Sequence, residues 1–122
     1  MLPDVMKAVT GRTFPSRTAV LEGYARYRFK RRVYPGLVSE AGGRVEGVLY
    51  LNLDGRSLAL LDEFEGPWYK KATVRVAPEC GGLLCQSYLV ADNCRKLLGR
   101  EYWDVERFMR DHLKTYLREC KS

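Results

Sequence analysis

The chain has 122 residues, the length of one compact domain. With 46% hydrophobic and 30% charged residues it is neither disordered nor collagen-like, and no apolar run approaches the ~20 residues of a membrane-spanning helix. The formal charge of +6, from 21 basic and 15 acidic residues, raises an anionic partner as a question.

That charge is unevenly placed: residues 1–44 carry nine Lys/Arg against three acids (Asp4, Glu22, Glu40), and residues 45–122 carry twelve of each. The opening MLPDVMKAVTGR lacks the basic-then-apolar layout of a signal peptide, so a cytoplasmic protein is expected. Four cysteines (Cys80, Cys85, Cys94, Cys120) and one histidine lack the paired spacing of a zinc site. No metal is expected, and the thiols are expected free and mostly buried.

In chain order, residues 3–10 predict a helix, with Pro3 at its first position, Val5, Met6 and Val9 on one face and Gly11 as the stop. Residues 18–30 alternate β-branched, aromatic and basic side chains, predicting a long strand with a bulge at Gly23. Its Arg26, Arg28, Lys30, Arg31 and Arg32 interleave with Tyr24, Tyr27 and Phe29, a pattern able to line a nucleic-acid groove. The plainer alternative is a strand whose alternate side chains face solvent. Residues 33–38 are a Pro-Gly turn and short extended segment, 40–43 a turn, and 44–53 the next strand. A helix over 58–64 enters through Asp54 or Ser57 and closes at Gly66-Pro67. Strands are predicted at 69–76 and 83–90. An amphipathic helix over about 104–120 is predicted from Val105, Phe108, Met109, His112, Leu113, Tyr116, Leu117 and Cys120. His112, on that apolar stripe, is expected to pack rather than to catalyse. Strands outweigh helices, which predicts an α+β fold around a curved mixed sheet.

The chemistry concentrates at Leu61-Asp62-Glu63-Phe64-Glu65-Gly66-Pro67. Three carboxylates crowd a helix C-terminus, where the macrodipole disfavours them. Glu65 lies seven residues after Leu58 and four after Leu61, on their inward face, while Asp62 and Glu63 can turn outward. Burial disfavours the charged carboxylate and raises its pKa, the property a general base near neutral pH requires. The ordinary alternative is a glutamate that bends to solvent or pairs with a neighbouring cation. No phosphate loop, nucleophile elbow or H-E-x-x-H competes with it.

The ordered series Ala19-Val20-Leu21-Glu22-Gly23-Tyr24, Tyr34-Pro35-Gly36-Leu37-Val38, Val45-Glu46-Gly47-Val48-Leu49-Tyr50 and Leu61-Asp62-Glu63-Phe64-Glu65-Gly66, then Tyr69, resembles the gamma-glutamylcyclotransferase-like family, also called avirulence-induced-gene-two-like, over about residues 2–90. Tyr102-Trp103-Asp104-Val105-Glu106 is similar to the segment opening the C-terminal helix of its plant-like members. The resemblance implies a single domain over 1–122, built as a small mixed-sheet β-barrel with flanking helices. It implies release of 5-oxoproline from a small γ-glutamyl amine or γ-glutamyl amino acid, without metal or organic cofactor; a monomer with no membrane partner is expected. It puts the general acid/base at Glu65 and substrate-lining side chains at Tyr34 and Tyr69, for which strand and turn packing is the alternative. Two departures stand out. Lys71 occupies a position where the family often has arginine. The family's first strand, ending in a Tyr-Gly-Thr-Leu whose amides hold the substrate, has no counterpart, because Met1-Leu2-Pro3-Asp4 aligns with the segment just beyond that strand. That strand is therefore expected to be missing, through truncation, a late start or a real loss, or its edge to be filled some other way; a real loss motivates a non-catalytic ligand-binding member of the same fold as an alternative. Nucleic-acid binding through residues 26–32 ranks last, because no nucleic-acid motif accompanies the basic strand.

Overall fold

A computed structural model describes residues 1–121, with side chains through Glu119. The side chain of Cys120, one of the four expected thiols, lies outside the described residues. The elements are α1 (Pro3–Thr10), β1 (Ser16–Phe29), β2 (Pro35–Tyr50), α2 (Gly55–Glu65), β3 (Tyr69–Arg75), β4 (Leu84–Val90), β5 (Leu98–Tyr102), α3 (Val105–Asp111) and α4 (Leu113–Lys121). Short 3-10 turns occupy Gly66–Trp68, Pro78–Cys80 and Asp92–Leu97. The chain divides into two compact units, the first made of Met1–Thr18, Val48–Gly66 and Asp104–Ser122, the second of Ala19–Gly47 and Pro67–Trp103.

The first unit is helical. Pro3 opens α1, which buries Val5 and Met6 and packs against α2 and α4. Tyr116 of α4 meets Phe108 edge-on at 5.4 Å and Phe64 of α2 at 6.3 Å, geometries that aromatic quadrupoles favour. The continuous helix expected over 104–120 is instead interrupted at His112, whose φ of −129° and ψ of −20° leave the helical basin. Hydrogen bonds of helical spacing survive on both sides, His112 N to the Phe108 carbonyl at 2.9 Å and Tyr116 N to the His112 carbonyl at 3.0 Å. The apolar period therefore runs on through the break, and side-chain spacing could not reveal it. His112 packs against the Phe108 ring at 6.4 Å, as expected of a packing residue.

The second unit carries the sheets. One has the order β2-β1-β5 and the other is the antiparallel pair β3 and β4, in register from Tyr69 opposite Val90 to Arg75 opposite Leu84. The α+β class with flanking helices holds, and the strands form two sheets that do not close into a barrel. Gly23, the expected bulge, adopts φ +83° within β1. Residues 40–43, expected as a turn, instead lie within β2. Gly42 at φ +78° kinks the strand, and a Cβ on Gly43 would strike the Tyr24 carbonyl, so these glycines let β2 pass close to β1 rather than reverse. β5 is not expected from local sequence, because Leu98-Gly99-Arg100-Glu101-Tyr102 has little intrinsic strand preference. Pairing with β1 creates it: Phe29 lies opposite Leu98 and Tyr27 opposite Tyr102, and Lys30 N donates to the Leu97 carbonyl at 2.8 Å. The core is Phe29, Val38, Val90 and Cys94, with Tyr34, Trp68 and Tyr69 packed against it.

Among the described residues no helix is long and apolar enough to cross a membrane, and no three His, Cys, Asp or Glu residues gather as metal ligands. Cys94 is buried, whereas Cys80 and Cys85 are only half-buried; all three are free thiols.

Candidate functional site

Asp54 starts α2. Its carboxylate accepts hydrogen bonds from Ser57 N at 3.1 Å and Ser57 Oγ at 2.7 Å, satisfying an otherwise orphaned helix donor. These bonds hold the Asp54 carboxyl below its ordinary range. From that cap the helix runs inward along Ser57, Leu61 and Glu65, spaced four apart; Ser57 and Leu61 are buried and Glu65 is half-buried. Asp62 and Glu63, between them, are exposed as their spacing predicts.

Glu65 is the last residue of α2. The Gly66 N–H bonds back to the Asp62 carbonyl, and Gly66 turns the chain at φ +70°, ψ −163°, a region essentially reserved for glycine. Among the described residues no hydrogen-bond donor or ion-pair partner reaches the Glu65 carboxylate. Burial therefore acts largely unopposed and pushes its pKa from the ordinary 4.5 up to about 7, the positive charge of the Met1 amino group countering only part of the effect. A carboxyl that titrates near neutrality can both accept and return a proton there.

Tyr34 and Tyr69 belong to the second unit, whereas Glu65 belongs to the first. The structure brings the two tyrosines together around Phe29: Tyr34 lies 5.7 Å from its ring and Tyr69 meets it edge-on at 5.9 Å. The Tyr69 hydroxyl donates to the Pro35 carbonyl at 2.7 Å. Trp68, which is not among the residues expected from sequence, completes this cluster at 5.0 Å from Phe29 and 6.2 Å from Tyr34, with the Arg32 guanidinium 5.9 Å from its ring. An aromatic directly after Glu65-Gly66-Pro67 is the available signal. The basic segment 26–32, of which only residues 26–29 lie in β1, is less free than its composition suggests. Arg26 lies 5.1 Å over Trp103 and donates to the Glu46 carbonyl, and Arg28 donates to the Arg32 carbonyl at 2.7 Å.

The sequence pattern of the family described as "Gamma-glutamyl cyclotransferase, AIG2-like" matches residues 1–105. AIG2-like protein A of Arabidopsis thaliana is 29% identical over 122 residues, covering 98% of this chain and 73% of its own length. Two solution structures of Arabidopsis thaliana proteins superpose with a TM-score of 0.69 each. One, at 27% identity, covers 98% of this chain and 73% of its own; the other, at 28%, covers 97% and 80%. The family pattern spans most of the chain, and this chain belongs to the gamma-glutamyl cyclotransferase, AIG2-like family.

Proposed function

We propose that this protein is a gamma-glutamylcyclotransferase-type enzyme that converts a γ-glutamyl amine or γ-glutamyl amino acid to 5-oxoproline, with Glu65 as general acid/base. The observation that carries the reading is the half-buried carboxyl at the end of α2, with its pKa raised to about 7. Ionised Glu65 takes a proton from the substrate's α-amino group. The freed nitrogen attacks the substrate's own γ-carbonyl and closes a five-membered lactam. That ring closure has the high effective concentration of an intramolecular reaction. Glu65 then returns the proton to the departing amine as the C–N bond breaks. The balance requires no redox partner. Tyr34 and Tyr69 would line the substrate with their rings, since the Tyr69 hydroxyl is already used on Pro35. Action as a monomer, in the cytoplasm and as one domain belongs to the same proposal.

The test measures 5-oxoproline release from γ-glutamyl amino acids and γ-glutamyl amines. It uses the 122-residue chain and a form extended at its N-terminus by a Tyr-Gly-Thr-Leu strand. Glu65→Gln is expected to lower turnover on the order of 10²- to 10⁴-fold with the fold intact. No product from either form, or full activity in Glu65→Gln, refutes the reading. Ligand binding without turnover would identify a non-catalytic member of the fold.

A further inference from the structure

In the second unit, Tyr27, Val38, Arg95, Leu98, Gly99 and Arg100 line an open cavity of about 430 Å³, within the size range of small-molecule sites. Its apolar wall is an extension of the core: Tyr27 and Leu98 pack against the buried Phe29–Val38 cluster. The Tyr27 ring is held rigidly, stacked on Tyr102 at 4.9 Å, with its hydroxyl bonded to the Glu40 carboxylate. A side chain at position 99 would come within 3.1 Å of the Arg28 carbonyl, so that stretch of wall stays bare.

The polar side of the cavity is cationic. Arg100 is exposed, and its guanidinium makes no ion pair or hydrogen bond among the described residues. Among the described residues the Arg95 side chain, which is exposed, reaches only Asp92, at 3.9 Å, while Asp92 is held more closely by Lys70 at 3.0 Å. Of the nearby acids, Glu40 accepts from the Tyr27 and Tyr102 hydroxyls and Glu101 lies 3.9 Å from Arg28. Exposed Lys30 borders the same strand, its backbone bonded to Leu97 and its side chain running beside Gly99. The β1–β5 pairing thus joins cations about 70 residues apart in sequence beside one aromatic, apolar wall.

We propose that this cavity binds a nucleotide unit, with the flat base against Tyr27, Val38 and Leu98 and the phosphate held between Arg95 and Arg100. Guanidinium groups suit this role because they make charge-assisted, bidentate hydrogen bonds to phosphate, and the ring wall can stack or pack a base of any sequence. The nucleotide can come from a free mononucleotide or from a unit of single-stranded nucleic acid. Exposed Lys30, Arg31 and Lys96 are placed to contact further phosphates in the second case. Binding here does not depend on Glu65 or on turnover.

The experiment records backbone amide NMR shifts of the 122-residue chain titrated separately with AMP, adenosine, inorganic phosphate and a ten-nucleotide oligothymidylate. AMP is expected to shift Tyr27, Val38, Leu98, Gly99 and Arg100 in a saturable manner, more tightly than adenosine or phosphate. The double variant Arg95→Gln/Arg100→Gln, both at exposed sites, is expected to weaken AMP roughly tenfold or more while keeping the shift dispersion of the folded protein. Tighter binding of the oligonucleotide, with shifts spreading to Lys30, Arg31 and Lys96, supports the site and identifies nucleic acid as the source. Saturation by AMP alone supports it with the free nucleotide as the source. The inference is overturned by no shifts up to about 10 mM of either nucleotide ligand. It is equally overturned if adenosine or phosphate binds as well as AMP, if shifts map elsewhere, or if the double variant binds unchanged.

Discussion

Glu65→Gln tests the physical basis of the site without any substrate. In the unfolded chain Glu65 titrates near its ordinary 4.5, and in the folded protein near 7, because burial penalises the carboxylate. Between those values the folded state binds more protons than the unfolded state, so stability falls as pH rises. The favourable contribution is complete below about pH 4.5 and is lost once pH has risen through about 7. A difference of that size corresponds to about 3 kcal/mol by linkage, and partial access of solvent to the carboxyl makes this an upper figure. Glutamine has nearly the same shape and no titration. The variant should therefore gain stability relative to wild type between about pH 5 and pH 8, by up to about 3 kcal/mol, on top of a pH-independent offset from the new amide. Urea unfolding of both proteins at half-unit pH intervals measures this, and subtraction cancels the groups they share. A wild-type-minus-variant difference that stays flat over this range, or grows with pH, would refute the claim that burial dominates at Glu65.

Other perturbations act on the same elements. Gly66→Ala places a Cβ in open space but at φ +70°, ψ −163°, and should cost about 1–3 kcal/mol in urea unfolding from backbone strain alone; an unchanged midpoint would show that this turn is not constrained. Phe29→Ala removes a ring that is 1% exposed and meets Tyr34, Trp68 and Tyr69, and should cost about 3–5 kcal/mol, with loss of the near-ultraviolet aromatic signal. Asp54→Ala should lower the unfolding midpoint and Asp54→Asn should retain most of it, because the amide oxygen can still cap Ser57 N. The Asp54 carboxyl is depressed in the folded state, so its contribution is present at neutral pH and disappears as pH falls through the folded pKa. The wild-type advantage over Asp54→Asn should accordingly shrink in acid. For activity, kcat/KM should rise with pH through about 7 as Glu65 ionises, and a profile without that limb would remove Glu65 as the base.

Local sequence was enough to determine α1, the inward face of α2 and the β3 and β4 strands, it singled out Glu65 as a candidate, and it left Asp54 and Ser57 both open as the α2 cap. Each is set by side-chain periodicity, a capping residue or a glycine within a few positions. The motif order was likewise enough for the family. Three features were decided only by tertiary structure. β5 forms because β1 offers an unpaired edge, not because Leu98-Gly99-Arg100-Glu101-Tyr102 prefers extension. Residues 40–43 stay in β2 because two glycines let it pass against the Tyr24 carbonyl where isolated turn propensity would reverse the chain. The C-terminal helix breaks at one backbone position while its apolar period continues, and a pattern of side chains carries no record of a single φ and ψ. The charge obeys the same division. Composition showed the basic excess, but only strand pairing and packing decide which cations are used up, as Arg26 is by Trp103 and Glu46, and which, like Arg95 and Arg100, are left facing a cavity. Propensity acts over a few residues, whereas burial and electrostatics depend on neighbours that only the folded chain brings together.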